Sequence, residues 1–222
     1  MPAGVQSGQA HCPTPLDPGD AVTHPQVHAQ ATPDKPAVIF ADTGQQLSYR
    51  QLDDRSMQVA QLLRSLGLRT GDHLALMLEN HPCYFEICWG AHRAGLIYTA
   101  MSTRLTEAEV SYIVDDCGAL ALIASRAMAP AVQHLGSACP GVAHWLMLDG
   151  AIAGWAAYEA AVAAQPATRI ADEQAGGDML YSSGTTGRPK GVFVPPQALA
   201  IDAPNPLTDL MSGLFGMGTD TV

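Results

Sequence analysis

Four short, nearly unbroken apolar runs, at 74–78, 96–100, 119–124 and 145–148, constrain the fold of this chain more than any other feature. A strand wetted on one face alternates apolar and polar residues, whereas a continuous run suits a strand covered on both faces. Helix signals lie between and before these runs. Ser48 and Gln51 have the spacing of a capping box, Leu47 and Leu52 can staple across it, and Gly67 supplies a stop. Inside that segment Leu52, Val59, Leu63 and Leu66 share one helical face. Thr106 and Glu109 repeat the device, with Leu105 and Val110 as staple, Val110, Ile113, Val114 and Cys117 as buried face and Gly118 as stop. A third helix is predicted over 80–95, burying Phe85, Cys88 and Trp89. Strand and helix thus alternate from residue 74 to residue 180, which predicts an α/β fold with a layered, mainly parallel sheet flanked by helices. Ahead of it, 37–40 and 45–49 around Asp42, Thr43 and Gly44 predict a small hairpin. Residues 1–24, rich in Pro, Gly, Gln and His and without a hydrophobic period, read as a flexible N-terminal arm.

Composition narrows the function classes. Apolar residues make up 47 % of the 222 positions, enough to bury a core. The net charge is −10, from 21 acids against 11 bases, and no Lys/Arg run exists, which excludes nucleic acid as a general partner. No basic and apolar leader is visible. The most membrane-like stretch, 141–164, is interrupted by His144, Asp149, Glu159 and several glycines, so no transmembrane segment is predicted. The five cysteines (Cys12, Cys83, Cys88, Cys117, Cys139) are odd in number and form no CxxC pair. That speaks against a disulfide framework and for a reducing, cytoplasmic location.

One segment carries chemistry. An apolar strand through Met179, Leu180 and Tyr181 leads into Ser182, Ser183, Gly184, Thr185, Thr186, Gly187, Arg188, Pro189, Lys190 and Gly191, and a second apolar run follows. Glycines let backbone approach an anion closely, successive N–H groups form an anion nest, and the four hydroxyls and Lys190 add donors and positive charge. This reads as a polyphosphate cradle. It is not a Walker loop, because Pro189 stands where the second glycine of that pattern belongs.

The run 181–191 resembles the phosphate-loop signature of the adenylate-forming enzymes, which include acyl-CoA synthetases, aryl-CoA ligases, nonribosomal adenylation domains and luciferases. Residues 47–52, 71–76 and Glu79-Asn80 ahead of a helix with an Ala-Gly exit are similar to the same family's N-terminal region. Two departures are Ser182, where threonine is usual, and the Val194-Pro195-Pro196-Gln197 stretch, where many members carry a Thr-His pair. The resemblance implies that residues 25–222 form an incomplete N-terminal domain of an adenylate-forming enzyme, with its phosphate loop at 181–191. It implies ATP, Mg2+ and a carboxylic acid as reactants and CoA as co-substrate, in an AMP-forming acyl-CoA synthetase for fatty or related acids. An adenylation domain that loads a carrier-protein thiol, and a non-catalytic nucleotide-binding product, are the alternatives. By the same resemblance Ser182, Ser183, Gly184, Thr185, Thr186, Gly187 and Lys190 bind the nucleotide, and Lys190 and Thr185 act in catalysis. No residue is assigned as a metal ligand. The family's ribose aspartate and C-terminal adenylation lysine have no counterpart in the sequence, so the resemblance implies a missing remainder of the enzyme, an inactive fragment, and apolar surface open to self-association.

Weaker features have plainer readings. His24 and His28 are four apart, but Pro25 argues against a regular helix and no third ligand is evident. Cys83 and Cys88 read as small hydrophobes, and Trp89 as core. Trp155 and Tyr158 lie in an Ala-rich helix candidate. Asp115 and Asp116 read as a solvated helix end, and Thr70-Gly71-Asp72 as a turn.

Overall fold

The computed structural model describes residues 24–182, 188–195 and 198–203, with single positions at 210 and 214–215. Residues 1–23 of the expected arm, and Ser183, Gly184, Thr185, Thr186 and Gly187 of the loop, lie outside the described residues. A short helix α1 (Pro25–Ala31) precedes an antiparallel hairpin of β1 (Pro36–Ile39) and β2 (Gln46–Ser48). The long helix α2 (Tyr49–Ser65) leads to β3 (His73–Met77), α3 (Tyr84–Arg93), β4 (Ile97–Ala100), α4 (Glu107–Asp116) and β5 (Ala119–Ser125). Then follow α5 (Ala129–Val132), β6 (His144–Leu148), β7 (Ala156–Ala157), α6 (Tyr158–Ala163), β8 (Gly177–Ser182) and β9 (Lys190–Phe193). The main sheet runs β7-β6-β5-β3-β4-β8-β9, every pair parallel except β8–β9. No helix among the described residues is long and apolar enough to cross a membrane.

Both capping boxes form. Ser48 N–H donates to Gln51 Oε1 at 2.9 Å while Gln51 N–H returns to Ser48 Oγ at 3.3 Å, and Thr106 and Glu109 close the same pair at 2.8 and 3.4 Å. The strand alternation then explains the unbroken apolar runs. Leu74 and Leu76 of β3, with Ile123 and Leu146 beside them, face a core built with Val59, Leu63, Ile87, Tyr158 and Val162 of α2, α3 and α6. Ala75 and Met77, with Leu122 and Met147, face a second core under α4 and α5. The central strands β3, β5 and β6 are covered on both faces, so neither set of their alternating inner residues is free to be polar.

Two helices differ from the sequence reading. Helix α1 exists because Pro25 occupies its first turn, where its missing N–H is no loss, and His24 caps it by accepting the Gln26 N–H on Nδ1 at 3.1 Å. Helix α3 starts at Tyr84, not Asn80, and buries Glu86, Ile87, Gly90, Ala91 and Arg93, while Phe85 is 43 % exposed. Close approach to α2 and buried charge choose that face. A Cβ on Gly90 would lie 2.5 Å from Val59 Cβ and Cγ1, so only glycine lets the two helices meet there. Arg55 grips Glu86 with two 3.0 Å bonds, and Tyr158 donates its hydroxyl to the same carboxylate at 2.9 Å. Arg93 is 0 % exposed and binds Asp53, Glu173 (2.6 Å) and Ser56 Oγ (2.9 Å). Trp155 also departs from expectation: it precedes β7 and packs in the second core, while Tyr158 opens α6 in the first.

A polar stripe on α2 binds a segment without regular structure. Gln58 donates to the Gln165 carbonyl at 2.9 Å, Gln61 to the Thr168 carbonyl at 2.9 Å, and Arg64 pairs with Asp172 at 3.1 Å. These three side chains are three residues apart, hence neighbours on one helix surface.

Two consequences are measurable. Gly90→Ala should destabilise the protein by about 1–3 kcal/mol in urea unfolding, from overpacking against Val59. The pair Gly90→Ala/Val59→Ala should then lose less than the sum of the single changes; an unshifted midpoint for Gly90→Ala would refute the contact.

Acid should also loosen the packing around α1. His24 is buried against Trp89 and His92, and among the described residues neither His24 Nε2 nor His92 Nδ1 has a hydrogen-bond partner. Burial, then the Arg93 charge, pushes the His24 imidazole from 6.5 down to about 2, and the same causes bring His92 to about 4. Both rings therefore stay neutral when folded and take protons when unfolded. Their contribution to stability is complete above pH 6.5 and is lost as pH falls below it, at up to about 1.4 kcal/mol per pH unit per ring. Urea midpoints between pH 7 and pH 5 should show that slope, and His92→Phe should halve it.

Candidate functional site

The hairpin β8–β9 carries the ends of the hydroxyl- and glycine-rich run. Only its first two residues join the parallel sheet, Gly177 opposite Ile97 and Asp178 opposite Tyr98. Beyond them β8 pairs with β9 alone, through Met179↔Phe193, Leu180↔Val192, Tyr181↔Gly191 and Ser182↔Lys190. Directly opposed residues share a face. Ser182 and Lys190, both exposed, therefore project together on the side of Leu180 and Val192, which are 57 % and 58 % exposed. Met179 and Tyr181 project the other way and pack on the second core. A hydroxyl and an ammonium side by side, open to solvent at the closed end of a hairpin, suit an anionic group. Of the residues singled out by sequence, Ser182 and Lys190 are thus brought together across the ladder.

On its inner side the hairpin rests on α4. Tyr181 donates its hydroxyl to Asp116 Oδ2 at 2.6 Å, and the Arg188 guanidinium stands 5.5 Å above the Tyr112 ring. Burial, reinforced by the bond to Asp116, raises the Tyr181 phenol well above its ordinary range, so it remains a donor. Asp116, expected to be simply solvated, is exposed but engaged. Phe193 meets the His73 ring at a centroid distance of 5.8 Å.

A second polar group was not legible in the sequence. Glu79 follows β3, Ser125 ends β5 and Asp149 follows β6, so all sit where parallel strands deliver their carboxyl ends, the usual ligand edge of such sheets. Ser125 donates to Glu79, and His81 pairs through Nε2 with Asp149 at 3.1 Å. The ligating atoms of Glu79, His81 and Asp149 lie within 4.8 Å of one another. The hydrogen bonds argue against a metal there. His81 Nδ1 accepts the Cys83 N–H at 3.1 Å, so in the neutral ring Nε2 carries the proton and faces Asp149 as a donor, with no lone pair to offer. The only hint in the sequence was Glu79-Asn80-His81 directly after an apolar run.

The weaker expectations resolve locally. Cys83, Cys88, Cys117 and Cys139 are free thiols. Burial, with Glu86 near one and Asp178 near the other, pushes Cys83 and Cys88 up to about 12, which suits packing and not nucleophilic attack. Thr70-Gly71-Asp72 is a turn, with Arg69 N–H donating to Asp72 Oδ2 at 2.7 Å.

Residues 25–207 match the family described as AMP-binding enzyme. The chain is 33 % identical over 184 residues to a fatty acid–[acyl-carrier-protein] ligase of Streptomyces coeruleorubidus, covering 79 % of this chain and 34 % of that protein. It is 31 % identical over 171 residues to a long-chain-fatty-acid–CoA ligase of Mycobacterium tuberculosis, covering 74 % of this chain and 32 % of that one. Among solved structures, an anthranilate CoA ligase in complex with anthranoyl-AMP superposes with a TM-score of 0.69 at 26 % identity, over 78 % of this chain and 34 % of its own. The chain thus spans about a third of the length of these two relatives.

Proposed function

The chain belongs to the AMP-binding enzyme family, and on that premise we propose that it contributes the phosphate-binding part of an enzyme that activates a carboxylic acid with ATP and passes the acyl group to a thiol. In the first step a carboxylate oxygen forms a bond to the α-phosphorus, the bond to the bridging oxygen breaks, and pyrophosphate leaves. In the second a thiol sulfur attacks the acyl carbon, AMP leaves, and the thiol proton passes to solvent. The difficulty of the first step is electrostatic, since an anion approaches a polyanion. Preorganised donors and positive charge are the remedy.

The observation that carries this reading is the run 181–191 inside the matched stretch, with Ser182 and Lys190 side by side across the β8–β9 ladder. Lys190 would take a terminal phosphate and favour the departing pyrophosphate. Ser182, Ser183, Thr185 and Thr186 would donate hydrogen bonds, and Gly184 and Gly187 would let backbone N–H groups close on the phosphates. Magnesium supplies charge neutralisation on the nucleotide itself. The Glu79–His81–Asp149 group does not fit it, because Mg2+ prefers oxygen ligands and His81 presents a proton. Fatty acids are the favoured substrate class, from the relatives named above. CoA is the favoured acceptor, and the carrier-protein ligase among those relatives supports carrier loading as the second reading.

The full-length natural protein should catalyse acid-dependent exchange of pyrophosphate into ATP. Lys190→Ala should reduce that exchange by roughly ten- to a hundredfold, while thioester formation from supplied acyl-adenylate falls less. No exchange with any of a panel of fatty and aryl acids would refute the reading, and equal losses in both half-reactions would refute the role of Lys190. Release of acyl-CoA against labelling of a carrier protein separates the two acceptors.

A further inference from the structure

We propose that α4 fixes the orientation of the hairpin bearing Ser182 and Lys190 through a side-chain tether, Tyr181–Asp116–Tyr112–Arg188, and that Tyr181 and Asp116 are positioning residues for the ATP-dependent step. The inference rests on the functional reading above for its ATP role, and on geometry alone for the tether.

The hairpin needs such a tether. Its ladder to the parallel sheet ends at Asp178, opposite Tyr98, so the four residue pairs beyond it are held in the fold by side chains. A two-stranded ribbon without further support does not keep one orientation. Helix α4 supplies a firm base. Its N-terminus is closed by the Thr106–Glu109 capping box, and Val110, Ile113 and Val114 are buried in the second core.

Two residues one turn apart on that helix reach β8 and the approach to β9. Asp116 accepts the Tyr181 hydroxyl of β8 at 2.6 Å, a short bond to a charged acceptor. Tyr112 sends its own hydroxyl to the other oxygen of Asp116 at 3.4 Å and receives the Arg188 guanidinium, on the approach to β9, over its ring. Asp116 is thus the shared acceptor, and the hairpin is gripped at Tyr181 and at Arg188.

Gly191 is part of the device. It is the cross-strand partner of Tyr181, and a Cβ built on it would stand 2.2 Å from Met179 Cε, 3.1 Å from Tyr181 Cζ and 3.2 Å from Tyr181 Oη. The tyrosine therefore lies across the bare backbone of β9 to reach Asp116. A glycine that the sequence alone reads as part of an anion cradle has a separate task here, which is to seat an aromatic ring.

A structural role alone would lower stability and leave substrate binding untouched. The proposal instead expects a selective effect on ATP. In the full-length natural protein, Tyr181→Phe and Asp116→Ala should each raise KM for ATP in acid-dependent pyrophosphate exchange by roughly three- to tenfold. KM for the acid and the melting temperature should stay at wild-type values. The double variant should be no worse than either single one, because both break the same bond. Gly191→Ala should show the same ATP effect and be relieved by Met179→Ala. Cleavage by trypsin after Lys190 should be faster in both single variants. An unchanged KM for ATP, additive effects in the double variant, or equal shifts for ATP and acid would overturn the positioning role. Wild-type protein without exchange would overturn the functional reading and the ATP role with it. Tryptic cleavage would still decide the tether, which is refuted if the variants are cut no faster than wild type.

Discussion

The buried guanidinium of Arg93 is the interaction on which the arrangement of the other elements depends. It projects from α3, meets Asp53 and Ser56 on α2, and meets Glu173 on the segment leading to β8. Withdrawing such a charge from water is costly, and only close, multiply bonded partners offset it. The geometry that offsets it is therefore specific. Glu173 is held at Arg93, Gln174 N–H then bonds the Arg93 carbonyl at 3.3 Å, and Gly176 N–H bonds that of His92 at 2.8 Å. The chain is delivered in register to the edge of β4, where β8 begins. The position of the β8–β9 hairpin is thus decided partly on the far side of the sheet's first core.

What the sequence made legible was local or periodic. The boxes at Ser48–Gln51 and Thr106–Glu109 satisfy backbone groups within one turn, so neighbouring residues state them fully. The apolar runs of β3 to β6 need only the rule that a doubly covered strand has no polar face. Helix α3 was legible as a helix but its buried face was not, because that face carries Glu86, Gly90 and Arg93, which a hydrophobic period counts as outward. Their partners Arg55, Asp53, Tyr158 and Glu173 are distant in sequence, and a charge gives no sign of burial until its counter-charge is located. Helix α1 escaped because Pro25 was weighed as a breaker although it stands where a helix tolerates proline.

The candidate site divides along the same line. Its composition, hydroxyls and glycines closed by Lys190, was plain in one continuous stretch. Its support was not, since Tyr181 and Asp116 are 65 residues apart and only the fold brings them within 2.6 Å. The grouping of Glu79, His81, Ser125 and Asp149 was equally hidden, because it assembles from the ends of three strands.

The stripe of Gln58, Gln61 and Arg64 on α2 carries a consequence for the order in which the molecule assembles. These side chains bind a segment 107 to 108 residues further along the chain. Contacts at such separation form late, since a long loop must close before they return any free energy. The segment has little regular structure of its own to wait in, so it acquires its path only once α2 is docked on the sheet. Docking of the approach to β8 is therefore expected late in folding, once α2 is in place on the sheet.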